Sequence, residues 1–105
     1  MSNTTHSNGL LQAKEAVLPV LLNYFNPHTT TIFVFGSQAL GVQHDRSDID
    51  VGYTTSTPPS ALQTTEMREK LDTLPFLIDL VDFSTVSDDF KKVAKESRIV
   101  WHQAK

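Results

Sequence analysis

Two aspartates separated by one residue carry the clearest chemical signal in this 105-residue sequence. Asp48 and Asp50 begin the segment 48–54, in which polar and apolar residues alternate through Val51, and this alternation predicts a strand with one polar face. Because residues i and i+2 of a strand share a face, both carboxylates are expected on the same side. Two like charges there repel unless a cation lies between them, and Mg²⁺ prefers carboxylate oxygens. An acidic strand face exposed to solvent is the competing interpretation of so short a motif.

A third aspartate strengthens the metal interpretation. Asp79 lies in the apolar segment 76–83, where an ionised carboxylate is costly to bury without a partner. If this predicted strand lies beside the strand of Asp48 and Asp50, facing side chains are ~5 Å apart. Asp79 would then join the other two carboxylates around a metal. Asp82 is the competing candidate, on the opposite face and at a strand end, where a solvated aspartate costs little.

Gly36 and Ser37 stand directly after a predicted strand over 31–35 and directly before a predicted helical turn over 37–40. Glycine lets a ligand approach the backbone, and a helix N-terminus presents unpaired N–H groups to an anion. Ser37 adds a hydroxyl at the same place. Taken alone, the pair is better explained as a turn in which Ser37 is the helix N-cap.

The combined pattern resembles the polymerase-beta-type nucleotidyltransferase superfamily: Gly36-Ser37, a ten-residue gap, Asp48-x-Asp50, and a later aspartate on an apolar strand. Within it, residues 31–101 are most similar to the small minimal nucleotidyltransferase (MNT) domains. The resemblance implies that Gly36 and Ser37 bind the β- and γ-phosphates of ATP or another NTP. It implies that Asp48, Asp50 and Asp79 hold Mg²⁺, with two ions expected, and that Asp79 helps to deprotonate the attacking hydroxyl.

MNT proteins of this kind are commonly paired with a HEPN-type helical protein, as antitoxin and toxin. The resemblance therefore implies an enzyme, a protein adenylyltransferase that moves AMP from ATP to its HEPN partner. Many relatives carry basic residues after Gly-Ser, whereas this chain has Gln38 and Leu40 there, and Arg46 is the only Lys or Arg between Ser37 and Asp48. A second hypothesis thus stays open: a catalytically weak or inactive antitoxin, or a regulatory subunit, that acts by binding its HEPN partner.

The other patterns predict the elements that must position these residues. A helix is expected over 10–25, with Leu11, Leu18, Leu22 and Phe25 at helical spacing, Val17 and Leu21 beside them, and a kink or break at Pro19. Ser60 and Gln63 form a capping box that begins a second helix with Leu62, Met67, Leu71 and Leu74 on its apolar face. A helix opening at 87–89 and an edge strand over 98–101 follow.

This alternation predicts an α/β (α+β) fold: a mixed β-sheet with helices packed on it, the polymerase-beta-like nucleotidyltransferase fold in the light of the resemblance. We expect residues 1–8 to be a disordered N-terminus and residues 9–105 to form a single domain, since so short a chain supports one core.

Composition limits the class of protein further. The hydrophobic content of 39% and charged content of 20% are those of an ordinary globular protein. A net charge of −3 disfavours nucleic acid as the main partner, and the lack of cysteine excludes disulfides and thiol chemistry. No apolar run approaches the ~18 residues that span a membrane, and residues 1–8 do not resemble a secretion signal. We therefore expect a cytoplasmic protein without membrane contact.

Overall fold

The computed structural model describes residues 5–36, 49–96 and 98–104. The elements are α1 (Thr5–Leu22), β1 (Thr30–Phe35), β2 (Ile49–Thr55), α2 (Ala61–Asp72), β3 (Ile78–Asp82), α3 (Asp88–Lys95) and β4 (Ile99–His102). The four strands form one sheet in the order β3-β2-β1-β4. β1 runs antiparallel to β2 and β4, whereas β2 and β3 are parallel. The predicted mixed sheet with helices packed on it is confirmed.

β1 is one of the two inner strands, and the whole of it is buried. Its β-branched and aromatic residues fit a strand covered on both faces. Ile32 and Val34 point into the larger core, which α1 and α2 cover. Phe33 and Phe35 point to the other face, where they pack with residues from α3 and the segment after β3. The sheet therefore has an apolar layer on each side, and the face that carries Phe33 and Phe35 also carries the candidate carboxylates.

α1 differs from its prediction at both ends and in its buried face. It begins at Thr5, within the segment 1–8, and ends at Leu22 rather than Phe25; the division into a disordered 1–8 and a domain over 9–105 stays a prediction. The buried stripe is Ala13, Val17 and Leu21, with Phe25 beyond the helix, whereas the predicted core residue Leu11 is 51% exposed. Residues four apart lie on one face of a helix, so the rotation of α1 toward the sheet selects one of two adjacent apolar stripes.

The predicted break at Pro19 is wrong, because α1 continues through this residue. Proline removes one helical hydrogen bond, that of the carbonyl four residues earlier. Pro19 and Glu15 are both exposed, so the freed carbonyl of Glu15 lies on the solvent side, where water can satisfy it. The alternative expectation, a kink at Pro19, stays a prediction.

The capping box at the start of α2 is confirmed. The Ser60 hydroxyl accepts from the Gln63 backbone N–H at 3.1 Å, and the Gln63 side chain accepts from the Ser60 backbone N–H at 3.0 Å. Met67 and Leu71 are buried as predicted, but Leu62 is 68% exposed. Among the described strands β4 pairs only with β1, at the edge of the sheet, so the predicted edge strand is also confirmed. No helix in the described ranges is both long and apolar enough to cross a membrane.

Candidate functional site

Asp50 and Asp79 are direct neighbours in the sheet. They are partners in the parallel pairing of β2 and β3, and Asp50 is in turn the partner of Phe35 in the antiparallel pairing of β1 and β2. Partners in register project to the same face, and neighbouring strands are ~4.8 Å apart. The two carboxylates therefore lie side by side on one face of the sheet. The adjacency of the two strands, which the sequence argument took as a condition, is thus met.

The position of Asp79 corrects one step of the sequence argument. Asp79 is exposed, whereas the next residue, Leu80, is buried at 4% exposure. β3 lies at the edge of the sheet that the described strands form, and there Leu80 points into the core whereas Asp79 points to the other face. The expectation that Asp79 would be buried in an apolar strand is therefore wrong. What places Asp79 in the candidate site is its register with Asp50.

Gly36 brings the end of β1 against the Asp50 carboxylate. Its φ of +78° lies in the left-handed region that glycine adopts at little cost. A Cβ at this position would lie 2.5 Å from Oδ2 of Asp50, closer than real Cβ atoms approach another heavy atom. Both the backbone conformation and the close approach thus require glycine. Gly36, Asp50 and Asp79 are consequently brought together at one end of the sheet.

Ser37 and Asp48 lie outside the described residues, as does the loop between them. Their predicted roles in binding phosphate and metal stay predictions. On the described side of this gap, the Ile49 backbone N–H donates to the Leu77 carbonyl at 2.7 Å, which continues the contact of β2 with β3 toward Asp48. Within residues 5–36, 49–96 and 98–104 no three metal-ligating side chains cluster, and only two of the three predicted ligands lie in those ranges.

Asp82 lies on the opposite face of β3 and has a different role. Its Oδ1 accepts hydrogen bonds from the backbone N–H and the hydroxyl of Ser84, at 2.9 and 2.8 Å. It is also the register partner of Tyr53. Burial raises the pKa of the Tyr53 hydroxyl above its ordinary value, and the charge of Asp82 and a hydrogen bond to it raise that pKa further, against an opposing effect of Arg68. The geometry therefore favours Asp79 over Asp82 as the third carboxylate.

An aromatic cluster borders the carboxylates, and the sequence analysis did not connect it with the site. The rings of Phe35 and Phe83 meet edge to face at 5.0 Å. Phe90 of α3 lies 5.7 Å from Phe35, also edge to face, and is 41% exposed. The available signal was the position of Phe35, immediately before Gly36. This cluster gives the site an apolar wall beside its two carboxylates.

A nucleotidyltransferase-type domain is the class of protein that this geometry defines: a mixed sheet, a glycine turn after the buried inner strand β1, and aspartates in register on the next two strands. Residues 19–105 match the family described as polymerase beta, nucleotidyltransferase. The chain belongs to this family, and the family and fold expected from the sequence are thereby confirmed.

Several known proteins are similar to this chain. A protein from Haemophilus influenzae, named probable protein adenylyltransferase MntA, is 28% identical over 87 residues, which are 81% of this chain and 75% of that protein. A crystal structure of a toxin–antitoxin with AMP-PNP matches with a TM-score of 0.68 at 25% identity, over 84% of this chain and 71% of that one. The complex of a tri-AMPylated HEPN toxin from Shewanella oneidensis with an MNT antitoxin matches with a TM-score of 0.61 at 18% identity, over 84% and 67% of the two chains, and shows the shared fold.

Proposed function

We propose that this protein transfers AMP from ATP to a hydroxyl of a protein acceptor, in a reaction that requires Mg²⁺. The proposed acceptor is a HEPN-type helical partner, with this chain as the antitoxin of the pair. The observation that carries the proposal is the register of Asp50 with Asp79 on one face, with Gly36 against the Asp50 carboxylate. The similarity to a probable protein adenylyltransferase and to a toxin–antitoxin bound to an ATP analogue supports it.

The carboxylates fit a divalent metal. Asp50 and Asp79 offer hard oxygen ligands on one face of the sheet, and Asp48, two residues before Asp50, is the proposed third ligand. Two bound Mg²⁺ ions would neutralise the charge on the attacking and leaving oxygens of the phosphoryl transfer. The exposure of Asp79 leaves its oxygens open to an incoming acceptor.

The proposed reaction forms one bond and breaks another at the α-phosphorus of ATP. The acceptor hydroxyl oxygen attacks the α-phosphorus and forms a bond to it. The bond from the α-phosphorus to the oxygen that bridges it to the β-phosphorus breaks, and pyrophosphate leaves. Asp79 accepts the proton of the hydroxyl, because it is more exposed than Asp50 and therefore more accessible to the acceptor. Gly36 leaves the turn after β1 without a side chain, so the phosphates can approach the backbone there, where the Ser37 hydroxyl is proposed to donate to them.

The test uses the full chain, a HEPN-type helical protein as the acceptor, and ATP labelled on its α-phosphate. Label should move to the partner in the presence of Mg²⁺, and removal of the metal by EDTA should stop the transfer. Asp50→Asn and Asp79→Asn should each lower the rate by about 100-fold or more. Asp82→Asn makes the same chemical change on the opposite face of β3 and should retain transfer. Equal labelling by Asp50→Asn and the wild type would contradict the proposal.

A second candidate function is neutralisation of the partner by binding alone. An exposed apolar surface favours it: Leu11 of α1 is 51% exposed, and Ile99 and Val100 of β4 are 40% and 39% exposed. These residues line one shallow groove between α1 and β4. If Asp50→Asn protects cells from the partner as well as the wild type does, while Ile99→Asp abolishes protection, binding is sufficient. If Asp50→Asn fails to protect, transfer is required.

A further inference from the structure

A pocket of about 300 Å³ lies between α3 and the sheet, on the face that carries Asp50 and Asp79. We call it the α3 pocket. Its floor is apolar and its rim is basic; the floor is Phe33, Phe83 and Ala94, and the rim includes Lys91, Lys95 and Arg98. Of the described residues of the candidate transfer site, only Phe83 of its apolar wall also lines the pocket, and Gly36, Asp50 and Asp79 do not. The α3 pocket thus adjoins the transfer site and shares one wall residue with it, but the described carboxylates are not part of it.

Its rim concentrates positive charge in a chain whose net charge is −3. The Arg98 guanidinium lies over the Phe33 ring, 4.7 Å from the ring centre, which fixes its position. Lys91 lies 4.0 Å from the fully exposed Asp88, a surface contact that contributes little. Within the described ranges, no carboxylate forms a salt bridge with Lys95 or Arg98. Three neighbouring cations repel one another, and a bound anion would relieve that repulsion.

The shape of the pocket indicates which anion. A planar guanidinium and flexible lysines are the side chains that bind phosphate best, and the exposed Thr54 hydroxyl adds a donor to the same lining. A bare phosphate ion would leave the apolar floor uncovered. A volume of about 300 Å³ is at the lower end of the range for small organic ligands. A phosphate that carries an organic ring system therefore fits better than the ion alone.

We propose that the α3 pocket binds a nucleoside monophosphate group, distinct from the ATP that donates AMP; its role in the reaction rests on the proposed function above. The group has two sources: free AMP, or an AMP already attached to the acceptor. Phe33 is two residues from Phe35, the register partner of Asp50, a separation of ~7 Å along β1. A nucleotide on a bound acceptor is therefore within reach of the pocket.

Calorimetric titration of the full chain with AMP, without ATP or Mg²⁺, tests the binding directly. Lys95→Gln and Arg98→Gln should each weaken AMP binding by about tenfold, the effect of losing one charge-assisted contact. Lys92→Gln is the matched control, since Lys92 is on the same helix and does not line the pocket. It should bind AMP as the wild type does. Asp50→Asn should also keep AMP binding, which separates this pocket from the transfer site.

Two outcomes overturn the proposal: no AMP binding by the wild type, or equal binding by Lys95→Gln, Arg98→Gln and the wild type. Because Arg98 packs on Phe33, the thermal unfolding of Arg98→Gln is measured as well. Where Arg98→Gln fails to fold, Lys95→Gln alone decides the test.

AMP linked to the hydroxyl of N-acetyl-tyrosine amide serves as a model of a modified acceptor and distinguishes the two sources. Tighter binding than free AMP, lost in Lys95→Gln, assigns the pocket to the modified acceptor; equal binding assigns it to the free nucleotide. AMP binding without transfer to any acceptor would refute the proposed function and leave the pocket assigned.

Discussion

Replacing Gly36 by alanine tests whether the turn after β1 sets the position of the Asp50 carboxylate. The substitution forces a non-glycine residue to φ +78°, which costs about 1–2 kcal/mol. In a domain of this size the melting temperature should fall by roughly 4–8 °C for each kcal/mol. The new Cβ would also lie 2.5 Å from Oδ2 of Asp50, so the carboxylate must move by about 1 Å to reach ordinary contact.

A displacement of that size at a reacting centre lowers a rate by about 100-fold. Gly36→Ala is therefore expected to unfold at a lower temperature and, where folded, to transfer AMP about 100-fold more slowly. The assays are thermal unfolding by circular dichroism and label transfer from ATP per folded molecule. A Gly36→Ala protein that transfers AMP at the wild-type rate would refute the reasoning.

Two further variants separate the backbone effect from the displaced carboxylate. Gly52→Ala is a matched control, because its Cβ would meet Phe83 at 2.5 Å and Phe33 at 2.6 Å rather than Asp50. It should destabilise the fold by about 1–3 kcal/mol through overpacking, yet retain most of the transfer. In an Asp50→Ala background, Gly36→Ala should lower the free energy of unfolding only by the cost of its backbone conformation, since the carboxylate that the new Cβ would meet is gone. Equal costs in both backgrounds would show that Asp50 does not contact the turn.

Three further predictions concern the fold around the site. The pKa of Tyr53 is raised above 10.0, so the stability that this group contributes is full below pH 10 and is lost as the pH rises through the higher folded pKa. Asp82→Asn should lower that pKa, and tyrosinate absorbance against pH measures it; an unchanged titration would contradict the assignment. Ser60→Ala removes the capping box and should cost about 1 kcal/mol in urea unfolding; an unchanged midpoint would show that the cap is dispensable. Met67→Ala in the core should cost about 2–5 kcal/mol, whereas Leu62→Ala, 68% exposed on the same helix, should cost far less; similar costs would contradict the packing of α2.

Local sequence determined the type of most elements. The β-branched and aromatic run of β1 and the capping box before α2 act over a few neighbouring residues, so their residue types were enough to predict them. Pro19 shows the limit of such reasoning. Whether a proline breaks a helix depends on whether the freed carbonyl meets solvent or packed protein, and the sequence does not contain that information.

The candidate site was predictable as a set of residue types and not as an arrangement. The sequence supplied Gly36, Asp50 and Asp79 and, through a family resemblance, their proposed roles. It misjudged the burial of Asp79, because exposure depends on the place of β3 at the edge of the sheet. It also missed Phe90 as a neighbour of Phe35, since the packing of α3 on the sheet is a contact between residues distant in sequence.

The sequence by itself determined which residues can do chemistry and which segments form strands, because side-chain type and backbone preference are properties of a residue and its near neighbours. Tertiary structure alone decided that β3 pairs in parallel with β2, in the register that puts Asp79 beside Asp50. It alone decided that Arg98 stacks on Phe33 and completes the α3 pocket. Strand order, register and such packing are set by the burial of the whole apolar core, to which every element contributes at once.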